Sequence, residues 1–219
     1  MKRTALSALL PVAALALLLP ATAGAALYTF DCVSNNSAAD CAIIEAQAQV
    51  DVTDVGGNIQ FMFTNIGPGQ STITDIWFDN ALGTYLTSFI SETSSAGVVF
   101  GGDGSASPTS PPGGLFTADY SFGAEPPPSS NGINNTSDGS EWLTLLFGGN
   151  YSDVINALNN DGLEVAIKVQ SFLDGGSEVA VLVPEPGTMA LLGAGLLAMG
   201  GIGRKRFGRH EPAQEPVAA

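Results

Sequence analysis

Between residues 27 and 183 the sequence carries one basic side chain, Lys168, against eighteen acidic ones. Nucleic-acid binding needs lysine and arginine to neutralise phosphates, so nucleic acid is excluded as a partner. Histidine is equally scarce. The chain has one, His210, close to its C-terminus. The central region therefore holds no Ser–His or Cys–His nucleophile pair and no histidine metal site. Its glycine-rich piece Gly101-Gly102-Asp103-Gly104 lacks the lysine and the helix of a phosphate-binding loop. Two carboxylates can hydrolyse a glycoside. Among eighteen, however, some pair always looks suitable, so a carboxylate-dependent hydrolase stands only as a remote alternative to a protein without catalysis. The acidity itself has two readings, solubility through self-repulsion or binding of divalent cations. The turns at Asp79-Asn80, Asp103 and Asp138 could hold calcium, and none has EF-hand spacing. No other cofactor or metal is expected.

Cysteine is limited to Cys32 and Cys41. In an oxidising compartment two cysteines this close pair, and closing so short a loop is worth roughly 2–3 kcal/mol in the chain-entropy model. A metal pair or a lipidation site are the alternatives. Neither cysteine follows a signal-peptide cleavage point and no histidine accompanies them, which favours the disulfide.

Long apolar runs occur only at the two ends. At the front, Lys2 and Arg3 precede an apolar stretch over residues 5–19, then Pro20 and the small residues Ala21, Ala23, Ala25 and Ala26. This is the layout of a secretory signal peptide over residues 1–26, removed near residues 23–26. An uncleaved anchor is the other reading. At the back, residues 187–203 contain no charge, and Arg204, Lys205, Arg206 and Arg209 follow at once. Seventeen helical residues reach roughly 25 Å, a little short of the ~30 Å hydrocarbon core. A basic cluster of this kind stays on the cytoplasmic side, and residues 207–219 form a tail there. Upstream, Val183-Pro184-Glu185-Pro186 should be extended and accessible, because each proline disfavours helix at the residue before it. An exposed, extended backbone beside a membrane anchor suits a processing protease; an ordinary anchor with a proline hinge is the alternative.

The order Pro184-Glu185-Pro186, apolar helix over 188–202, and Arg204-Lys205-Arg206 resembles the PEP-CTERM sorting signal of Gram-negative bacteria. The resemblance covers residues 183–206. It implies export through the Sec translocon, cleavage by signal peptidase, a transient inner-membrane anchor and processing by exosortase, a membrane protease-transpeptidase. The stretch over residues 71–80, Asp153-Val154-Ile155 and Gly175-Gly176-Ser177-Glu178 are also similar to pieces of PEP-CTERM ectodomains.

The exported region, 27–182, is long enough for one core and reads at period two. Ile44, Ala46, Ala48, Val50 and Val52 alternate with Glu45, Gln47, Gln49, Asp51 and Thr53, which predicts a strand from Ile44 onward, since helical spacing would mix the two sets. Val55-Gly56-Gly57-Asn58 reads as a hairpin connection to Ile59, Phe61 and Phe63. Further strands are expected at 73–79, 84–90, 97–100, 116–122, 142–147, 163–169 and 179–183, with turns at Gly67-Pro68-Gly69 and Asp174-Gly175-Gly176-Ser177. One short helix should start at Ser152 as N-cap and end near Gly162. The fold class is all-β, a single β-sandwich of jelly-roll or Ig-like kind with one short helix. Two long loops, 101–114 and 123–140, should lie on the surface as a binding rim or as plain connections. Asp75, Trp77 and Asp79 share one strand face, and a tryptophan between carboxylates can stack on a sugar; more often such a residue closes the edge of a core.

The expected protein is an exported, non-catalytic surface or matrix protein, sorted and cleaved at its PEP motif and associated with exopolysaccharide. A glycan-binding module built on Trp77, with or without calcium, is the alternative.

Overall fold

The computed structural model describes residues 24–80, 85–102 and 105–184. Its strands are β1 (Ala25–Cys32), β2 (Ala48–Val55), β3 (Asn58–Asn65), β4 (Thr72–Asp79), β5 (Leu86–Ser94), β6 (Phe100–Gly101), β7 (Tyr120–Ala124), β8 (Ile133–Asn134), β9 (Trp142–Gly149), β10 (Glu164–Gln170) and β11 (Ser177–Val183). Three helices appear among the described residues: α1 (Ala38–Gln47), α2 (Pro128–Asn131) and α3 (Tyr151–Leu158). The strands form one 11-stranded sheet in the order β5-β9-β3-β2-β1-β11-β10-β4-β7-β6, with β8 attached to β4. All pairings between these strands are antiparallel.

This mostly-β outcome matches the expected class, but the strands form a single curled ladder. Phe61 on β3 and Phe78 on β4 lie five strand positions apart in the sheet, about 24 Å along a flat sheet at ~4.8 Å per strand. Their ring centroids are 5.1 Å apart, edge to face. Phe78 also meets Phe147 of β9 at 5.1 Å and Phe122 of β7 at 6.1 Å. The sheet therefore curls until its two halves face one another across a phenylalanine-rich interior. A sandwich of two separate sheets is avoided by β1. Its first half pairs with β2, from Ala25↔Thr53 to Thr29↔Gln49, and its second half with β11, from Thr29↔Val183 to Cys32↔Ala180.

Local chemistry explains most elements. Gly56 and Gly57 have φ of +64° and +85°, the backbone a two-residue hairpin turn needs, and the Gly57 N–H donates to Asp54 Oδ1 at 2.9 Å. The strand predicted from Ile44 begins only at Ala48. Residues 44–47 belong to α1, capped by Ser37, whose hydroxyl accepts from the Asp40 N–H at 3.3 Å. Helical spacing wins there: Ala46 is exposed and Gln47 buried, the reverse of the alternation. Gln47 is buried because its amide bonds both sides of Gly69, donating to the carbonyl at 2.9 Å and accepting from the N–H at 2.5 Å. A Cβ on Gly67 would lie 2.4 Å from that side chain, so glycine is required.

Several boundaries also move. β1 was not anticipated, the 97–100 strand begins only at Phe100 after a turn with Gly97 at φ +95°, and β7 begins at Tyr120. The cap of α3 is Asn150, whose Oδ1 accepts from the Asp153 N–H at 3.3 Å, rather than Ser152. The second long loop is no plain surface connection, since Ile133 within it is fully buried.

Glu92 lies half-buried on the end strand β5, and burial pushes its carboxyl up from 4.5 to about 7. The fold thus favours the neutral acid. Stability from this group is present in acid and declines as pH rises from about 4.5 through about 7. Solvent screening at a half-exposed site reduces the effect to about 1 kcal/mol. Glu92→Gln should raise the melting temperature at pH 8 and leave it unchanged at pH 4; thermal unfolding at the two pH values checks this, and a variant less stable at pH 8 contradicts it.

Candidate functional site

The described part of the sorting motif leaves from the interior of the sheet. β11 lies between β1 and β10, and its last residue, Val183, is paired with Thr29 of β1. Ala166 of β10 pairs with Val181, so β11 projects past its pairing with β10 by Leu182 and Val183, held there by β1 alone. Pro184 follows, exposed, and without an N–H it cannot extend the ladder. Glu185, Pro186, the apolar segment at 188–202 and Arg204, Lys205 and Arg206 lie outside the described residues, as do residues 1–23. Among the described residues no helix is long and apolar enough to cross a membrane.

Cys32 and Cys41 form the expected disulfide, with Cα atoms 5.3 Å apart. It ties the end of β1 to α1. Beside it sits Glu178 of β11, only 1 % exposed. Its carboxylate accepts from the backbone N–H groups of Ser37 at 2.7 Å and Asn36 at 3.0 Å, and from the Ser34 hydroxyl. That hydroxyl in turn accepts from the Val179 N–H at 2.8 Å. A buried acid with no cation is held by donors from the loop it organises. Cys32, Cys41 and Glu178 have ligand atoms within 4.8 Å of one another, but the sulfurs are bonded to each other and offer no thiolate to a metal.

The Asp75-Trp77-Asp79 face does not have the expected form. Trp77 is fully buried. The chain after β6 folds back over the outer face of β4, where the Trp77 indole N–H donates to the Pro108 carbonyl at 2.8 Å and the Ser121 hydroxyl to the Ala106 carbonyl at 2.7 Å. No ring face is left for a sugar, so the stacking role given to Trp77 is corrected to closure of this second layer. Asp79, at the end of β4, has acidic neighbours, its carboxyl raised by burial and by Asp119; Glu164, its register partner on β10, is raised by burial, Asp79 and Asp161. The turns named as calcium candidates carry hydrogen bonds of their own. Asn80 accepts from the Tyr85 and Leu86 N–H groups and donates to the Leu86 carbonyl, while Asp138 accepts from the Ser140 N–H. Asp103 lies outside the described residues.

Asp75 is brought to a partner that strand alternation alone did not reveal. Lys168 of β10 sits opposite it, with Nζ 4.0 Å from Oδ2, and Thr74 Oγ1 donates to the same oxygen at 2.9 Å. Burial raises the Asp75 carboxyl, against the lowering by Thr74 and Lys168. The signal available beforehand was the solitude of Lys168 in the central region.

Residues 182–206 match the family model of the PEP-CTERM protein-sorting motif. No curated protein and no solved structure matches the chain.

Replacing Glu178 by alanine removes the buried acceptor shared by the Ser34 hydroxyl and the Asn36 and Ser37 N–H groups and should cost about 2 kcal/mol. Urea unfolding of Glu178→Ala measures this; a loss below about 1 kcal/mol means the loop finds other acceptors.

Proposed function

We propose that the PEP-CTERM sorting motif at residues 182–206 makes this chain an exported surface protein, anchored by its C-terminal segment until exosortase cuts it. The observation that carries this reading is the motif match, together with its position at the C-terminal end of strand β11. Processing needs an extended, accessible backbone, and Pro184 is exposed one residue past the last paired position. A cut at or after Pro184 removes the anchor and leaves the β1–β11 pairing whole. A cut before Val183 would remove residues of the ladder.

The front of the domain supports the same direction of travel. Pairing at the start of β1 extends to Gly24, whose carbonyl accepts from the Asp54 N–H at 3.2 Å. Removal of a signal peptide after Ala23, behind the small residues Ala21 and Ala23, preserves every β1 pair; removal after Ala26 would cost two of them. Thr29 and Val183 are register partners in an antiparallel pair, so the start of β1 and the end of β11 lie toward the same end of the domain, in keeping with both termini being directed to one membrane. The role is structural and non-catalytic, at the cell surface or in an exopolysaccharide matrix, in keeping with a central region devoid of histidine and nearly devoid of cations.

Intact-mass spectrometry of the protein from an exosortase-bearing host should find a chain starting at Gly24 and ending within residues 184–186, and a host lacking exosortase should retain the C-terminal segment. A chain running to Ala219 in the competent host, or one ending inside β11, contradicts the reading.

A further inference from the structure

The outer face of β4 and β10 holds an open recess of about 510 Å³, walled by residues 101–102, 105–108, 123–126 and 128. Its floor includes Asp75, Lys168 and Gln170. Lys168 is the only cation among the described residues, and it also lines a second recess of about 410 Å³ toward β11. Gly123, Asp75, Lys168 and Val179 are successive register partners across β7, β4, β10 and β11. This row spans about 14 Å at ~4.8 Å per strand, and Lys168 is the residue the two recesses share, so they adjoin as a track across the strands.

The polar atoms on this floor are poorly served by the protein. At 4.0 Å from Asp75 Oδ2 the Lys168 ammonium is too far for a hydrogen bond, and among the described residues its protons have no acceptor. Asp75 Oδ1 and the Gln170 amide likewise have no partner among the described residues, while Oδ2 is taken by Thr74. Acceptor, ammonium and amide thus lie side by side, open to a ligand.

We propose that this track binds a neutral polyhydroxylated ligand, a stretch of uncharged glycan, with adjacent hydroxyls bridging Asp75 and Lys168. A hydroxyl both donates and accepts, so a neighbouring pair satisfies the carboxylate and the ammonium together. Other ligand classes fit less well. The first recess is walled by glycine, serine, alanine and proline, with no large apolar or aromatic side chain for a hydrophobic ligand. A polyanion meets Asp75, Glu125 and the net negative charge of the domain. A divalent cation meets the Lys168 ammonium. The second recess, where Val33 and Leu115 stay 39 % and 42 % exposed, offers apolar surface to the carbon-bound face of a sugar ring. The proposal does not depend on cleavage at the sorting motif, since the track lies on β4, β10 and β11 in processed and unprocessed chains alike.

The test is calorimetry on the exported protein with neutral gluco-, galacto- and manno-oligosaccharides, alongside a uronic-acid oligosaccharide, free amino acids and calcium. At least one neutral oligosaccharide should bind without calcium. Asp75→Asn and Lys168→Met should each weaken it about tenfold, and Thr93→Ala on the distant strand β5 should not. Gln170→Ala removes an amide without disturbing the ion pair; it should also weaken binding, and it keeps the test decisive if an Asp75 or Lys168 variant fails to fold. Absence of binding to every neutral oligosaccharide overturns the proposal. So does binding confined to the uronate, amino-acid or calcium samples, or binding unchanged in folded Asp75→Asn, Lys168→Met and Gln170→Ala variants.

Discussion

The pairing of β1 with β11 is the seam on which this structure depends. On one side of it lie β5, β9, β3, β2 and β1; on the other lie β11, β10, β4, β7 and β6. Only the run from Thr29↔Val183 to Cys32↔Ala180 joins the two sets in a continuous ladder. Remove it and a five-stranded layer remains beside a six-stranded one, β8 being attached to β4, the two facing one another through Phe61, Phe78 and Phe147. The disulfide and Glu178 both act at this seam. Cys32 ends β1, and Glu178 holds the loop that carries β1 into α1. The last two residues of the seam, Leu182 and Val183, are also the first two of the sorting-motif match, so the seam and the motif overlap by two residues.

That seam marks the limit of what the sequence could tell. Alternation along a strand reports which side chains face inward, and it located β3, β4, β9, β10 and β11 well. It says nothing about whose edge meets whose, so a sandwich and a curled single sheet look alike residue by residue. Strand β1 was hidden for another reason. Its Ala25 and Ala26 continue an alanine-rich stretch that reads as the end of a signal peptide, and that composition speaks for export before it speaks for structure. At α1 the residues Ile44 and Ala48 satisfy both periods, being two alternation steps and one helical turn apart; the Ser37 cap and the Gln47–Gly69 bonds decide for helix up to residue 47. The fate of Trp77 needed the one fact no local pattern contains, that a distant loop lays Pro108 against its indole. By contrast, the sorting signal is linear, its parts defined by order and composition, and it was legible without any fold.

Acidity takes on a different meaning once partners are visible. A domain with one lysine cannot balance its carboxylates by ion pairs, and this one turns them to backbone N–H groups instead. Glu178 serves Asn36 and Ser37, Asp119 serves Asn80, Glu141 serves Asn134, and Asp54 serves Gly57. Each fixes a loop or turn where the ladder stops, the place where orphan donors would otherwise need water. Fixed acceptors of this kind do a structural job without a cation. Lys168 is therefore the exception to be explained. It stands opposite Asp75 at a distance too long for a hydrogen bond, on an outer face already layered by the loop after β6. A solvated lysine on a polar strand face would need no comment in a protein rich in lysines. Here the lone ammonium lines both recesses with its donors unspent, and a ligand that supplies acceptors there completes the same economy of hydrogen bonds that the carboxylates complete elsewhere.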